Sequence, residues 1–368
     1  MIVKDVQKII EGWAPKEIAW ERDNVGLQVG SQDAGVRSIL VCLDVNEDII
    51  REALKRRANL IVSHHPLLFK SLRSVDLRDA TGRCVSALLT SKITLYSAHT
   101  NLDFTSGGTS FALADRLALT RVDFLMKSYR LKKKIVTFVP PEHVDRVAEA
   151  MSKAGAGRIG NYELCSYRGE GSGTFRGNTE ARPTVGKRGQ LEHVQEVRLE
   201  MLVDQPSVQP VVRALLNAHP YEEVAYDVYP LENVSPEYGM GIIGNLSKPM
   251  TVPQFIRHVK KALKASAVRY TLGATTRVRR VAACGGSGSE LTDEAIRQNA
   301  DAFVTADVKY HSFHDAARRI LLVDAGHYET ERPVVDALAR KLSTEFKRIG
   351  MKIPVYAAQT STNPILTN

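Results

Sequence analysis

A strand, a helix and a further strand recur at two separated places in this 368-residue chain, and that recurrence most narrows the folds open to it. Residues 37–45 (RSILVCLDV) read as a buried strand, 47–57 (EDIIREALKRR) as a helix, and 58–63 (ANLIVS) and 93–98 (ITLYSA) as further strands. The same order returns after residue 277, with VRRVAAC, ADAFVTA and ILLVDA as strands and ELTDEAIRQN as a helix. Alternation of this kind implies an α/β fold with largely parallel sheets. Laid together, REALKRRANLIVSHH matches DEAIRQNADAFVTAD, with Ser63 opposite Thr305, and ITLYSAHTNLD matches ILLVDAGHYET. The expectation is a duplication into two similar α/β lobes; the alternative is that any two such units look alike. Under duplication His64, His65, residues 99–103, Asp307 and His327 all fall at carboxyl ends of comparable strands, where open α/β sheets gather their ligands.

Residues from about 130 to 235 have another character. LKKKIVTFVP, VQEVRLEMLV and EEVAYDVYP read as strands, and PEHVDRVAEAMSKAG and SVQPVVRALLNAH as helices. That order suits a small α+β domain, and the glycine-rich GEGSGTFRGN, with RPTVGKRGQ after it, reads as a mobile loop within it. The expected division is a first lobe at 1–128, an inserted α+β domain at 129–236 and a second lobe at 237–368.

Composition sets the class and little more. With 43% apolar and 25% charged residues the chain is an ordinary globular protein. No window approaches 18 uninterrupted apolar residues and the N-terminus mixes charge into its apolar positions, so a cytoplasmic protein with no membrane partner is expected. Cys42, Cys84, Cys165 and Cys284 are far apart and form no Cys-x-x-Cys pair, which argues for reduced thiols. Cys284, ahead of Gly285 and Gly286, reads as a strand-end packing residue, because no motif pairs it with a base. The net charge of +9 could attract anions, yet the basic residues are interspersed with acids and no basic stripe is interleaved with aromatics, so no nucleic-acid partner is expected.

Three segments can carry chemistry. Ser63-His64-His65-Pro66 puts two imidazoles after an apolar strand; neighbouring side chains on a strand face opposite ways, so the backbone must turn there for both to reach one site. His327 and Glu331, four apart at the start of a helix, stack on one face, whereas Glu329 points elsewhere. Asp103, in His99-Thr100-Asn101-Leu102-Asp103, follows another apolar strand, and the Gly107-Gly108 segment opening the next helix could hold a phosphate on its backbone N–H groups. Each has a plain alternative: a surface or capping histidine pair, a carboxylate at a helix dipole, a helix N-cap. Together, three imidazoles and two carboxylates match the mixed nitrogen and oxygen ligands of divalent transition metals. Five are many for one zinc ion; a carboxylate bridge, Asp103 or Glu331, could join two metals roughly 3.5 to 4 Å apart. Zn, Mn, Fe, Co and Ni all remain open.

At these residues the chain resembles the GTP cyclohydrolase 1 type 2 homologue family, also called the NGG-interacting-factor-like family. The resemblance rests on Asp23-Asn24-Val25-Gly26-Leu27-Gln28-Val29-Gly30, Ser63-His64-His65-Pro66, His99-Thr100-Asn101-Leu102-Asp103, Asp307-Val308-Lys309-Tyr310-His311 and Gly326-His327-Tyr328-Glu329-Thr330-Glu331. It implies two α/β lobes with a dinuclear site in the cleft between them, ligated at His64, His65, Asp103, His327 and Glu331 by two divalent ions per chain. It also implies a ring-like homohexamer with the site facing an inner cavity. The insert, with residues 155–162 and His219-Pro220-Tyr221-Glu222-Glu223-Val224-Ala225-Tyr226, looks like that family's optional PII/CutA-like domain.

The function expected from these readings is metal-dependent hydrolysis of a small molecule, GTP or another nucleotide-like substrate, with His99 or His311 moving protons and Lys309 or Gly107 and Gly108 holding a phosphate. The alternative class is a metal-binding regulatory or scaffold protein without turnover, in which the insert senses a small ligand.

Overall fold

The structure, a computed structural model, describes residues 1–128 and 132–366. It is a mixed α/β fold with three sheets. The chain divides into two compact units, one made of Met1–Lys127 with Pro236–Asn368 and the other of Ser128–Ser235. No helix among the described residues is long and apolar enough to cross a membrane.

The first unit holds two sheets. One runs in the order Gly26–Val29, Thr94–Ser97, Leu60–Ser63, Ile39–Cys42 and Val355–Ala357, with every neighbouring pair parallel except the first. The three central strands are buried at every position, which is why they read in the sequence as short continuous apolar runs and not as alternating ones. Asn46 Oδ1 accepts from Ile49 N at 2.9 Å, so the intervening helix Glu47–Lys55 starts where a good capping residue stands.

The other sheet of this unit runs Arg269–Thr271, Leu321–Asp324, Ala302–Ala306, Arg277–Ser287, Gly239–Thr251 and Leu119–Lys127. It keeps a parallel triplet with an antiparallel strand beside Leu321–Asp324, as the first sheet does beside Thr94–Ser97. The expectation of largely parallel pairing fails on its far side. Gly239–Thr251 lies antiparallel to both its neighbours, and its 13 residues carry Gly241, Gly244 and Pro249, which hide a strand from its sequence pattern.

The helix His327–Arg348 ties the unit together. Val334, Val335, Leu338, Leu342 and Phe346 pack with Ile39, Val41, Leu60, Val62 and Tyr96 of the first sheet, while the helix also contacts Arg277–Ser287 and Ala302–Ala306 of the second. Each such fully buried aliphatic or aromatic side chain contributes about 1.5–3 kcal/mol, so the start of this helix is held firmly against both sheets.

The second unit follows the order strand, helix, strand, strand, helix, strand: Lys132–Val139, Val144–Lys153, Ser166–Phe175, Glu192–Asp204, Val208–Ala218 and Tyr226–Pro230. The sheet order is Ser166–Phe175, Glu192–Asp204, Lys132–Val139, Tyr226–Pro230, all antiparallel, the split βαβ arrangement. Leu131, the expected start of its first strand, and residue 129, the expected boundary, lie outside the described residues. The expected mobile loop at GEGSGTFRGN is corrected here. Its first seven residues belong to a strand that pairs with Glu192–Asp204 over ten positions. Gly169, Gly171 and Gly173 share one face of that strand, and most of it is exposed, so no apolar alternation announces it.

Candidate metal centre

Leu60–Ser63 ends one residue before His64, and the backbone bends there. His64 N still bonds to Cys42 O (3.0 Å) and His65 N to Leu43 O (2.9 Å), while Ser63 Oγ donates to His65 O at 2.8 Å. That staple brings both imidazoles to one site, their centroids 5.0 Å apart. The matching strand Thr94–Ser97 leads to His99 and the short helix Thr100–Asp103. On the other sheet, Leu321–Asp324 leads through Gly326 to the helix start at His327, and the next turn carries Glu331.

Every imidazole of the group has its Nδ1 held by an oxygen. His64 Nδ1 donates to Ala98 O (2.9 Å), His65 Nδ1 bonds to Asp44 Oδ1 (2.7 Å), His99 Nδ1 to Asp23 Oδ1 (2.8 Å) and His327 Nδ1 to Asp307 Oδ2 (2.6 Å). Such a partner fixes ring orientation and presents Nε2 to a cation. Asp23 does more, since its Oδ2 also accepts from Thr100 N (3.0 Å) and Thr100 Oγ1 (2.5 Å), capping the short helix from a distant segment. Asp307→Asn is expected to weaken metal affinity about 10- to 100-fold, the usual loss for an outer-shell partner, in a competitive chelator titration. Unchanged affinity would show that this bond does not orient His327.

The Nε2 atoms converge. His65 Nε2 lies 2.8 Å and His327 Nε2 3.0 Å from Glu331 Oε2, and His64 Nε2 lies 3.5 Å from Asp103 Oδ1 and 3.9 Å from Glu331 Oε2. Two groups could each hold a metal ion, His64 with His65 and His99, and His65 with His327 and Glu331; within each, the ligand atoms lie within 4.8 Å of one another. His64 and Glu331 form a sealed floor, while His65, His99, His327 and Asp103 keep some access to solvent. His64 Nε2 and Asp103 Oδ1 are buried without a hydrogen-bond partner, each at a cost of about 1–3 kcal/mol that a cation would offset, and buried Glu331 Oε2 faces only the imidazole nitrogens that would share that cation. The residues present therefore fit divalent ions.

The electrostatics of this cluster are those of a site where protons compete with cations. Burial pushes His64 down to about 3, so it stays neutral. Burial also opposes charge on His65, but Asp44 and Glu331 outweigh it and raise its pKa to about 10. The Glu331 hydrogen bond lifts His327 to about 9. Burial, and then the Glu331 charge, raise Asp103 to about 7, whereas Glu331 itself is held well below the usual carboxylate range, its burial overridden by His327 and His65. Metal ligation displaces protons from such imidazoles.

Gly286 makes room for the carboxylate at the centre. It has φ +64°, and a Cβ there would stand 2.1 Å from Glu331 Oε1 and 3.3 Å from His327 Cε1. Its N–H bonds to Thr330 Oγ1 at 3.0 Å. Burial pushes the neighbouring Cys284 thiol far up, away from nucleophilic character.

None of the contacts described above involves the remaining expected residues. His311 is exposed on the helix Tyr310–Ala316, its ring 5.5 Å from that of Tyr310, and Lys309 is exposed at the cap of the same helix. Gly107 is exposed, but Gly108 is buried and its N–H already bonds to Thr105 O at 2.9 Å. Asp44, Asp23 and Gly286 have no role legible in the sequence, and Asp307 is legible only as a residue at a strand's carboxyl end. Asp23 stands only within a matched segment, and nothing in a lone Asp-Val after an apolar strand marks Asp44 as a partner of His65.

Residues 1–364 match the family model described as Duf34/NIF3 (NGG1p interacting factor 3). A protein of Halalkalibacterium halodurans called GTP cyclohydrolase 1 type 2 homolog is 39% identical over 361 residues, covering 98% of this chain and 97% of that one. One of the same name from Bacillus subtilis is 37% identical over 363 residues, with 98% and 97% covered. Among solved structures, a Bacillus cereus protein related to NIF3 superposes with a TM-score of 0.80 at 37% identity, covering 100% of this chain and 99% of that one. A Staphylococcus aureus protein gives 0.81 at 28% identity with the same coverage.

Proposed function

The chain belongs to the Duf34/NIF3 (NGG1p interacting factor 3) family, and from that membership and the cluster geometry we propose that it is a divalent-metal-dependent hydrolase with a dinuclear centre. The observation that carries the reading is the convergence of buried ligand atoms, the unpartnered His64 Nε2 and Asp103 Oδ1, on Glu331 Oε2, which His65 and His327 also face. His64, His65, Asp103, His327 and Glu331 hold the ions, drawn from Zn, Mn, Fe, Co or Ni. When bound, such ions ionise water at neutral pH and polarise the bond to be cleaved. The chain's own part is to fix the imidazoles through Asp44, Asp307 and the Ala98 carbonyl, and to admit substrate on the side where His65, His99, His327 and Asp103 are accessible.

His99, whose Nδ1 is held by Asp23, and His311 are the candidates for moving a proton beside the ions. Lys309, Gly107 and Gly108 are the candidates for holding a phosphate. GTP or a nucleotide-like compound is the substrate suggested by the names of the relatives, each called GTP cyclohydrolase 1 type 2 homolog. The resemblance further supports a ring-like homohexamer in the cytoplasm. The inserted segment, 129–236 in this reading, is proposed to be PII/CutA-like on the strength of its strand-helix-strand-strand-helix-strand order.

A second reading, a regulatory or scaffold protein without turnover, is favoured by one observation. The unit Ser128–Ser235 contains a cavity of about 820 Å³ bordered by Phe138, Phe175, Glu196 and Tyr221, large enough for a small effector. One experiment separates the two: metal content and nucleotide hydrolysis measured on native protein and on Asp103→Ala. Hydrolysis by the native protein, lost in the variant while the fold is kept, supports the enzyme; an unchanged rate in the variant sinks it. Metal without turnover of any nucleotide favours the scaffold.

A further inference from the structure

The loop after His65 carries a large apolar side chain that the reading above leaves without a task. Phe69 is 54% exposed, yet its ring stands edge-on to His99, with centroids 6.3 Å apart and planes at 88°. It therefore flanks the accessible side of the cluster, beside the imidazole that Asp23 orients.

Its position is held by design of the neighbouring segment. Both backbone polar groups of Leu68 are taken by side chains: Leu68 N donates to Gln28 Oε1 at 3.1 Å, and Asn24 Nδ2 donates to Leu68 O at 2.5 Å. Gln28 Nε2 in turn donates to Asn24 O at 2.8 Å, closing the clamp. Asp23, Asn24 and Gln28 thus serve one purpose, the first fixing His99 and the other two fixing the residue before Phe69. An exposed aromatic ring so fixed, at the open edge of a polar site, offers a face for stacking that water cannot satisfy.

We infer that Phe69 is the specificity-determining residue on which a planar ring of the substrate stacks, so that the substrate class is planar heteroaromatic compounds and not saturated esters or sugar phosphates. This rests on the hydrolase reading of the centre, and its test is an equilibrium one that does not need turnover. Native protein, Phe69→Ala and Phe69→Tyr, all loaded with metal, are titrated calorimetrically with inosine, which has the ring and no phosphate, and with ribose 5-phosphate, which has the phosphate and no base.

Inosine is expected to bind the native protein saturably, roughly 5- to 100-fold more weakly to Phe69→Ala, and within about twofold of native to Phe69→Tyr, the range set by base–aromatic stacking. Ribose 5-phosphate should bind all three alike, and metal content and particle mass should not change. Native-like inosine affinity in Phe69→Ala, no inosine binding by the native protein, or equal losses for both probes would overturn the assignment. So would a changed particle mass in Phe69→Ala, which would make the ring a subunit contact. Inosine binding with the expected pattern but no hydrolysis of any nucleotide would instead remove the hydrolase reading and leave the ring site standing.

Discussion

Glu331→Gln is expected to strip the centre of its ions while leaving the protein folded. Oε2 of Glu331 is the atom on which the group converges, 2.8 Å from His65 Nε2, 3.0 Å from His327 Nε2 and 3.9 Å from His64 Nε2. An amide there keeps the volume, removes the charge and can turn N–H donors toward nitrogens whose lone pairs a cation needs. The loss of metal affinity should exceed the roughly 10- to 100-fold that follows loss of an outer-shell partner. Elemental analysis after desalting should then fall from about two equivalents per chain, the content of a two-metal centre, to near none, and hydrolysis should vanish with it. Circular dichroism should be unchanged. The chelated variant should melt below the chelated native protein, because the native carboxylate is the buried counter-charge that holds His65 and His327 protonated, and the amide leaves those imidazoles without it. Native-level metal in the variant would refute Glu331 as a ligand of either ion.

Gly286→Ala should damage the same centre by a steric route. The new Cβ would demand a left-handed backbone of an alanine, at about 1–3 kcal/mol for a residue held in a sparsely populated conformation. It would also stand 2.1 Å from Glu331 Oε1, so the carboxylate must leave its place. Gly286 cannot retreat cheaply, for its N–H is bonded to Thr330 Oγ1 and its carbonyl accepts from Thr305 Oγ1. The expected result is a melting temperature lower by several degrees, at about 2–4 °C per kcal/mol for a unit of this size, together with reduced metal content. Gly12→Ala is the control. It lies in the helix Val3–Trp13 with nothing within 4 Å of the new carbon, and should lose neither. Unchanged metal binding in Gly286→Ala would show that Glu331 has freedom the structure does not suggest.

Much of the candidate metal centre was readable because its residues follow strands buried on both faces. ILVC, LIVS and TLYS are apolar without alternation, and their ends carry or adjoin His64, His65 and His99. The (i, i+4) spacing of His327 and Glu331 places both on one helix face wherever that helix is put. The partners behind the imidazoles were not readable in this way. Asp23 lies 76 residues from His99, Asp44 21 from His65 and Asp307 20 from His327, and a hydrogen bond over such separations leaves no local pattern. The glycine-rich residues 169–175 suggest a loop because their glycines remove the alternation on which strand reading depends, and Gly239–Thr251 is obscured likewise by Gly241, Gly244 and Pro249. Asn24 and Gln28 sat in a segment already singled out, but their grip on Leu68 is visible only once the loop is folded.

The centre draws its ligands from both ends of the chain, with the whole unit Ser128–Ser235 encoded between them. More than two hundred residues separate Asp103 from His327. On a ribosome adding 5–20 residues per second, the His64, His65 and His99 half is made roughly 10 to 45 s before Glu331 exists to join it. During that interval the nascent chain presents three imidazoles without their central carboxylate, a ligand set that suits several divalent transition metals. The order of synthesis thus leaves the imidazole half of the candidate centre exposed to whatever cation is at hand before the carboxylate that completes the cluster has been made.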